Sequence, residues 1–398
     1  MSGQGRQHAV DRLRGFALLG VLIVNTPFLI TSVAGISEIS MPTNWDRTAG
    51  FITWALFQAK SYVIFSFIFG YSLTIFLERA MAKGIDGRRA YRQRLLALAV
   101  IGAVHAVLLF VGDILFIYAL LGTSLLWLRR KSDRTILRFA AVFYAAQVVV
   151  MAGLLALAFM PTSDSSNAVD STLGVDIANI DTSWATDGLW GASLTRLEVW
   201  PFALALIIAL QGLLVLSLFC VGMVAGRRKW LADPDAHRET LRRVRRWGYW
   251  LGLPPSLIGA ALIIIPGADA DPGRFMVGVV LIYLTAPVLS AAYVATIALL
   301  RPSRVTRILE GDGKMSLSIY LGESLLMTTL AAGWGFGLFG LDTAAALLVA
   351  LGVWIVLSVM AGLWHRWFGP NAPGPAERLL RRMTYAGIST ASPPGSRE

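Results

Sequence analysis

The chain has 398 residues, of which 56% are hydrophobic and only 15% charged, with a mean hydropathy of +0.63. That balance excludes a soluble globular domain and points to an integral membrane protein. The net charge of +11 would suggest nucleic acid to a reader of a soluble chain, but sorted by membrane side it reads as topology, leaving the lipid bilayer and no nucleic acid as the expected partner.

Apolar runs long enough to cross a bilayer, roughly 20 residues each, fall at 13–33, 61–80, 95–111, 113–128, 136–160, 200–226, 247–266, 275–300, 315–334 and 343–365. The expected fold is therefore all-α, a polytopic membrane helix bundle of ten spans forming a single domain over 1–385. The first run follows a basic start as a signal peptide would, but it has no small-residue cleavage site and reads as a retained span. Trp45 to Gln58 is aromatic and short, which suits an interfacial helix leading into span two. Spans three and four must reverse at Val111-Gly112-Asp113, where glycine permits the backbone angles of a tight turn.

Thirty-one of the 35 lysines and arginines fall in alternate connections, at 1–14, 79–94, 129–138, the loop 227–246, 301–314 and beyond 365. The other four are Arg47, Lys60, Arg196 and Arg274. The positive-inside rule then puts both termini in the cytoplasm. The outer loop 161–199 is acidic, with Asp164, Asp170, Asp176, Asp181, Asp187 and Glu198 against Arg196. Residues 386–398 are rich in Ser, Pro and Gly and read as a disordered cytoplasmic tail. Pro254, Pro255 and Pro287 are expected to break spans seven and eight. Cys220 is the single cysteine and the four histidines are scattered, so neither a disulfide nor a metal site is expected.

Ionisable side chains inside a span are costly, on the order of 2.5–3.5 kcal/mol on insertion scales, and usually face a cavity or a partner. At a rise of about 1.5 Å per residue, Asn25, His105 and Glu323 reach similar mid-bilayer depth, roughly 13–16 Å above Arg14, Arg94 and Lys314. Lys60 and Asp113 lie roughly 28 Å from Arg79 and Arg94, near the outer edge. There they form an ion pair or sit solvated at the rim. His105 and Asp113 share a helix face at a spacing of two turns; the rise between them exceeds hydrogen-bond reach, so their coupling would run through water. Each polar residue also has a packing role available: His105 to a neighbouring carbonyl, Asn25, Gln147 and Gln211 between helices, and Arg12 and Arg14 as anchors of span one. Glu323 needs a partner or a proton.

The motifs, in order, are Asp11-Arg-Leu-Arg14-Gly15 followed by Asn25, Lys60-Ser-Tyr62 with Phe65-Ser-Phe67-Ile-Phe69-Gly70, Gly102 with His105, Gly112-Asp113-Ile-Leu with Tyr118, Gly313-Lys314-Met-Ser-Leu-Ser318-Ile-Tyr320, and Gly374-Pro-Ala-Glu377-Arg378. This series resembles the YeiB family of bacterial inner-membrane proteins, which carries a domain of unknown function. The resemblance implies a multi-pass protein of the cytoplasmic membrane. More distantly, the Asp11-x-x-Arg14-Gly15 block is similar to the acyltransferase-3 and heparan-alpha-glucosaminide N-acetyltransferase groups. Those enzymes move an acyl group from a cytoplasmic acyl-CoA. The chain departs from the acyltransferase-3 group at Asn25, which stands where that group has a histidine and cannot serve as a base.

As an acyltransferase, the chain would use His105 as base or nucleophile, with Asp113 biasing its protonation and Glu323 as a further catalytic carboxylate. Arg12, Arg14 and Lys314 would meet the phosphates of acyl-CoA, a co-substrate rather than a permanently bound cofactor, and the acceptor would be a small molecule or an envelope component. As a proton-linked transporter, it would line a pathway with Asn25, Lys60, Tyr62, Tyr118, Ser318 and Tyr320, and His105 or Glu323 would cycle the proton. A third reading is a scaffold whose polar residues only join helices.

Overall fold

The computed structural model describes residues 8–32, 41–160, 177–265 and 271–388. No strand occurs among them. The elements are α1 (His8–Ile30), α2 (Asn44–Ile52), a π turn (Thr53–Phe57), α3 (Lys60–Ala82), α4 (Gly87–Leu108), α5 (Ile114–Leu128), α6 (Asp133–Ala158) and α7 (Ile177–Thr186). They continue as α8 (Leu189–Arg227), α9 (Arg238–Ile264), α10 (Pro272–Ala298), α11 (Arg304–Lys314), α12 (Ser316–Ala331), α13 (Thr343–Phe368) and α14 (Pro375–Tyr385). Each of the ten apolar runs coincides with a helix. Among the described residues, eight stretches are long and apolar enough to cross a membrane, whereas α5 has 15 residues and α12 has 16. The protein is an all-α polytopic membrane helix bundle.

Polar residues in the short connections start the helices. Asp86 accepts from the amides of Arg88 and Arg89, Ser132 from that of Thr135, and Ser303 forms a capping box with Thr306 ahead of α11. Such caps satisfy amides that have no partner within the helix. Between helices, small residues let backbones approach closely, the usual means of association where lipid removes the hydrophobic drive. Gly70 of α3 lies against the Phe219 carbonyl of α8, and Gly222 of α8 against the Phe67 carbonyl of α3. Gly15 of α1 faces the Leu309 carbonyl of α11 and Gly313 faces the Asp11 carbonyl in return. The α11 helix is thereby locked to the start of α1, bringing two distant sequence blocks together.

The structure adds detail at two places and corrects a third. The segment from Asn44 to Phe57 is helical in two parts: α2 leaves Trp45 and Ile52 exposed, and the π turn that follows buries Trp54 and Ala55 in the bundle. It runs through the π turn to Ala59, whose left-handed backbone (φ 65°) breaks the helix just ahead of α3. Within the expected outer loop, the described residues are helical: 177–186 form α7 and 189–199 belong to the 39-residue α8. Ala192, Ser193 and Arg196 recur at helical spacing and are buried, so that stretch has a packed face. Residues 161–176 and 389–398, which include most of the expected tail, fall outside the described residues. The prolines do not interrupt α9 or α10. Gly248 and Gly252 hold α9 close against Val288–Ala292 of α10, and that packing carries both helices through the missing backbone bonds.

Candidate functional site

The α4 helix ends at Leu108, and the chain reverses over 109–112 before Asp113 caps α5. This reversal folds Asp113 back over the last turn of α4. His105 Nδ1 then donates to Asp113 Oδ2 at 2.7 Å, a direct contact where sequence spacing allowed only a water-mediated one. Only a straight helix would keep the two side chains apart, and the helix ends at Leu108. Asp113 is 1% exposed and His105 2%, so neither stands at a solvated rim. The Asp113 carboxylate also accepts from the Phe116 amide at 2.7 Å and the Tyr320 hydroxyl at 3.4 Å. With the Phe116 amide and the Tyr320 hydroxyl both donating to it, the carboxylate acts as an acceptor, which places the imidazole proton on Nδ1 and leaves Nε2 as the acceptor nitrogen. His105 Nε2 is buried and has no partner among the described residues.

The surrounding elements hold this pair in place. Arg196 of α8 donates to the Leu108 carbonyl (3.2 Å) and stacks on Trp184 of α7, while Thr328 of α12 donates to the Leu109 carbonyl (3.2 Å). Gly102 leaves room for Asp113 Oδ1 and the Phe116 amide, which any Cβ would meet. The Tyr320 ring packs on His105 with centroids 5.0 Å apart.

Tyr320 also lines a cavity of about 610 Å³ that opens at the basic end of the bundle. Along α3 its wall runs from Arg79 to Phe65, about 21 Å at the helical rise. Arg14, Arg79, Lys83, Arg94, Lys314 and Arg381 face it, against two carboxylates, Asp11 and Glu377. Asp11 pairs with Arg14 of the same wall (3.2 Å), and Glu377 accepts from the amides of Leu317 and Ser318 at the start of α12 (2.7 and 3.2 Å), so the two acids offset only part of the six cations. The mouth therefore carries a surplus of positive charge. Deeper, Phe65, Phe69, Ile114, Leu115 and Tyr118 make the wall apolar.

Of the residues singled out from sequence, Arg14, Lys314, Tyr118 and Tyr320 line this cavity. His105 and Asp113 stand behind it through Tyr320. Arg12 turns away to Glu310 and the Leu300 carbonyl, and Lys314 shares Glu310 at 3.0 Å. Lys60 does not pair with Asp113; its Nζ is buried and donates to the Trp54 carbonyl (3.2 Å) and Ser256 (2.6 Å). The π turn brings that carbonyl to it, an irregularity that hydropathy does not reveal. Tyr62 gives its carbonyl to Tyr118, and Ser318 donates to Glu377 at 2.5 Å. Asn25 is half-buried on α1, away from the cavity wall. Glu323 is buried and neither carboxylate oxygen has a partner among the described residues. Gln147 bonds the Leu210 carbonyl of the neighbouring helix, as expected of a packing residue.

Sequence reading missed Arg79, Lys83, Arg94 and Arg381, which topology counting treats as interchangeable anchors. For Arg79 the signal would have been the helical register of Arg79, Phe76, Ser72, Phe69 and Phe65, one face of α3 at spacings of three and four. No group of His, Cys, Asp and Glu among the described residues is arranged to hold a metal ion.

Fold and site together define a polytopic helical membrane protein with a basic-mouthed internal cavity and a buried, oriented His–Asp pair. The family profile described as "Protein of unknown function (DUF418)" matches residues 225–387, which include Lys314, Tyr320 and Glu377. The chain is 30% identical to "Uncharacterized protein YxaH" of Bacillus subtilis (strain 168), covering 94% of this chain and 93% of that one. It is 26% identical to "Uncharacterized protein YeiB" of Escherichia coli (strain K12), covering 97% and 98%. No solved structure matches. The protein belongs to the YeiB family.

Proposed function

We propose that this protein is a transferase of the bacterial cytoplasmic membrane, taking an acyl group from a cytoplasmic acyl-CoA to a small-molecule or envelope acceptor. The basic end of the bundle faces the cytoplasm in this reading. The observation that carries it is the cavity, whose positive mouth suits a phosphorylated donor, whose apolar depth suits an acyl group, and whose inner wall touches an oriented histidine. A sealed bundle would have suited a scaffold.

In the reaction, the acceptor's O–H or N–H loses its proton to His105 Nε2 as the oxygen or nitrogen attacks the thioester carbonyl. The C–S bond then breaks and the departing thiolate recovers the proton. Asp113 holds Nδ1–H and stabilises the transient imidazolium, while Arg14, Arg94, Lys314 and Arg381 meet the donor's phosphates. Tyr320 must rotate to admit the thioester to Nε2.

The test is isothermal titration of the purified protein with acetyl-CoA and butyryl-CoA. Saturable binding is expected, about tenfold weaker in Arg94→Ala/Arg381→Ala. Absence of binding by either thioester would remove the reading. A transport reading draws on one observation, the unpartnered Glu323 carboxyl. Proton-driven solute uptake into liposomes, lost in Glu323→Gln, would favour it instead.

A further inference from the structure

A second concavity, of about 690 Å³, lies between α4 and α5 on the outer face of the bundle. It shares no wall residue with the internal cavity and does not depend on the transferase reading. Its floor is apolar, made by Leu95, Ala99, Phe116, Ala119 and Leu126. Its rims stay uncovered, with Leu96 67% and Trp127 52% exposed. In a membrane protein such a face meets lipid.

Two features separate this groove from an ordinary lipid-facing surface. The first is charge. Arg88 and Arg92, one turn apart on α4, and Arg130 just beyond α5 all border one end of it. All three are exposed, and no ion pair neutralises them among the described residues. Lys131 lies beside them, its Nζ 4.8 Å over the Trp127 ring. The second is length. Arg88 to Ala99 on α4 and Trp127 to Phe116 on α5 each span about 16 Å at the helical rise, close to half of the ~30 Å hydrocarbon core. The groove thus runs from a cationic cluster at headgroup level to the middle of the bilayer, one leaflet deep.

We infer that the α4–α5 groove is a binding site for one anionic phospholipid of the leaflet at the basic end, its phosphate on Arg88, Arg92 and Arg130 and an acyl chain along Leu95, Ala99 and Phe116. Charge complementarity selects the headgroup and the apolar channel takes the chain. Because α5 leads directly from Asp113, the lipid would brace the helix that carries the buried pair.

The experiment is native mass spectrometry of the purified full chain in detergent, with dioleoyl-phosphatidylglycerol and dioleoyl-phosphatidylcholine at equal concentration. Retention of the anionic lipid is expected to exceed that of the zwitterionic one about fivefold or more. Arg88→Ala/Arg92→Ala/Arg130→Ala is expected to abolish the preference. Ala99→Trp fills the groove and leaves every arginine in place, and it should also cut retention of phosphatidylglycerol. Should the triple variant fail to fold, Ala99→Trp and the single Arg92→Gln decide the matter. Equal retention of both lipids by the wild type, or an unchanged preference in folded variants, would overturn the assignment.

Discussion

His105 and Asp113 meet at 2.7 Å across the end of one helix and the start of the next, so the aspartate serves two elements at once. Its Oδ1 caps α5 through the Phe116 amide and its Oδ2 accepts the imidazole N–H. Helix initiation and histidine orientation therefore depend on a single carboxylate.

Replacing this carboxylate should separate the two roles. In Asp113→Asn an oxygen remains for the cap, and thermal unfolding is expected within about 1 kcal/mol of wild type. The amide can now donate to His105 Nδ1, moving the ring proton to Nε2 and removing the base. Turnover should fall by about 10²–10⁴. Asp113→Ala loses cap and partner together and should cost about 1–3 kcal/mol as well.

Gly102→Ala tests the space that the aspartate occupies. The new Cβ would meet Asp113 Oδ1 and the Phe116 amide, so the chain reversal must shift. A loss of about 1–3 kcal/mol is expected in denaturant unfolding, with turnover falling as in Asp113→Asn. Wild-type stability and turnover would show that the reversal has slack.

How much of this was legible in the sequence follows from what each signal measures. Hydropathy located the ten apolar helices because burial in lipid demands continuous apolar runs, and passed over the short α2, α7, α11 and α14. The same averaging hid the π turn before Lys60 and the helical outer segment around Arg196. Motif reading picked out His105, Asp113 and Tyr320, but straight-helix arithmetic kept the first two apart, since contact across a reversal depends on where the helix stops. Gly15, a member of the opening block, proves to be a packing residue against Leu309. Arg94 and Arg381 could not be told from ordinary anchors, because charge counting carries no helical register.

The interlock of α1 and α11 supplies a further prediction. Gly15→Ala and Gly313→Ala each place a Cβ against backbone carbonyls, of Leu309 and Asp11. Backbone cannot step aside as a flexible side chain can. Each variant should lose about 1–3 kcal/mol or more, read as a lowered unfolding temperature in detergent, whereas Gly352→Ala, with nothing near its new Cβ, should be neutral.

Asp312, on α11 outside the spanning helices, gives a pH signature. Burial pushes its carboxyl up from 3.8 to about 6, only partly offset by the Ser358 hydroxyl that donates to it at 2.8 Å. The native state then holds more protons than the unfolded chain between pH 3.8 and about 6. Stability accordingly falls as pH rises through that window and stays reduced above it. Asp312→Asn should be more stable than wild type at pH 7.5, by no more than about 3 kcal/mol, with the gap narrowing as the buffer is acidified through the same window.

The most direct test of the account is CoA thiol release from acyl-CoA by the purified protein in liposomes, comparing wild type with His105→Gln. The variant keeps a polar side chain of similar reach and should reach the membrane in normal yield. Release by the wild type that falls to background in His105→Gln is the predicted result. Equal release by the two proteins would contradict the central claim that His105, held by Asp113, performs the chemistry.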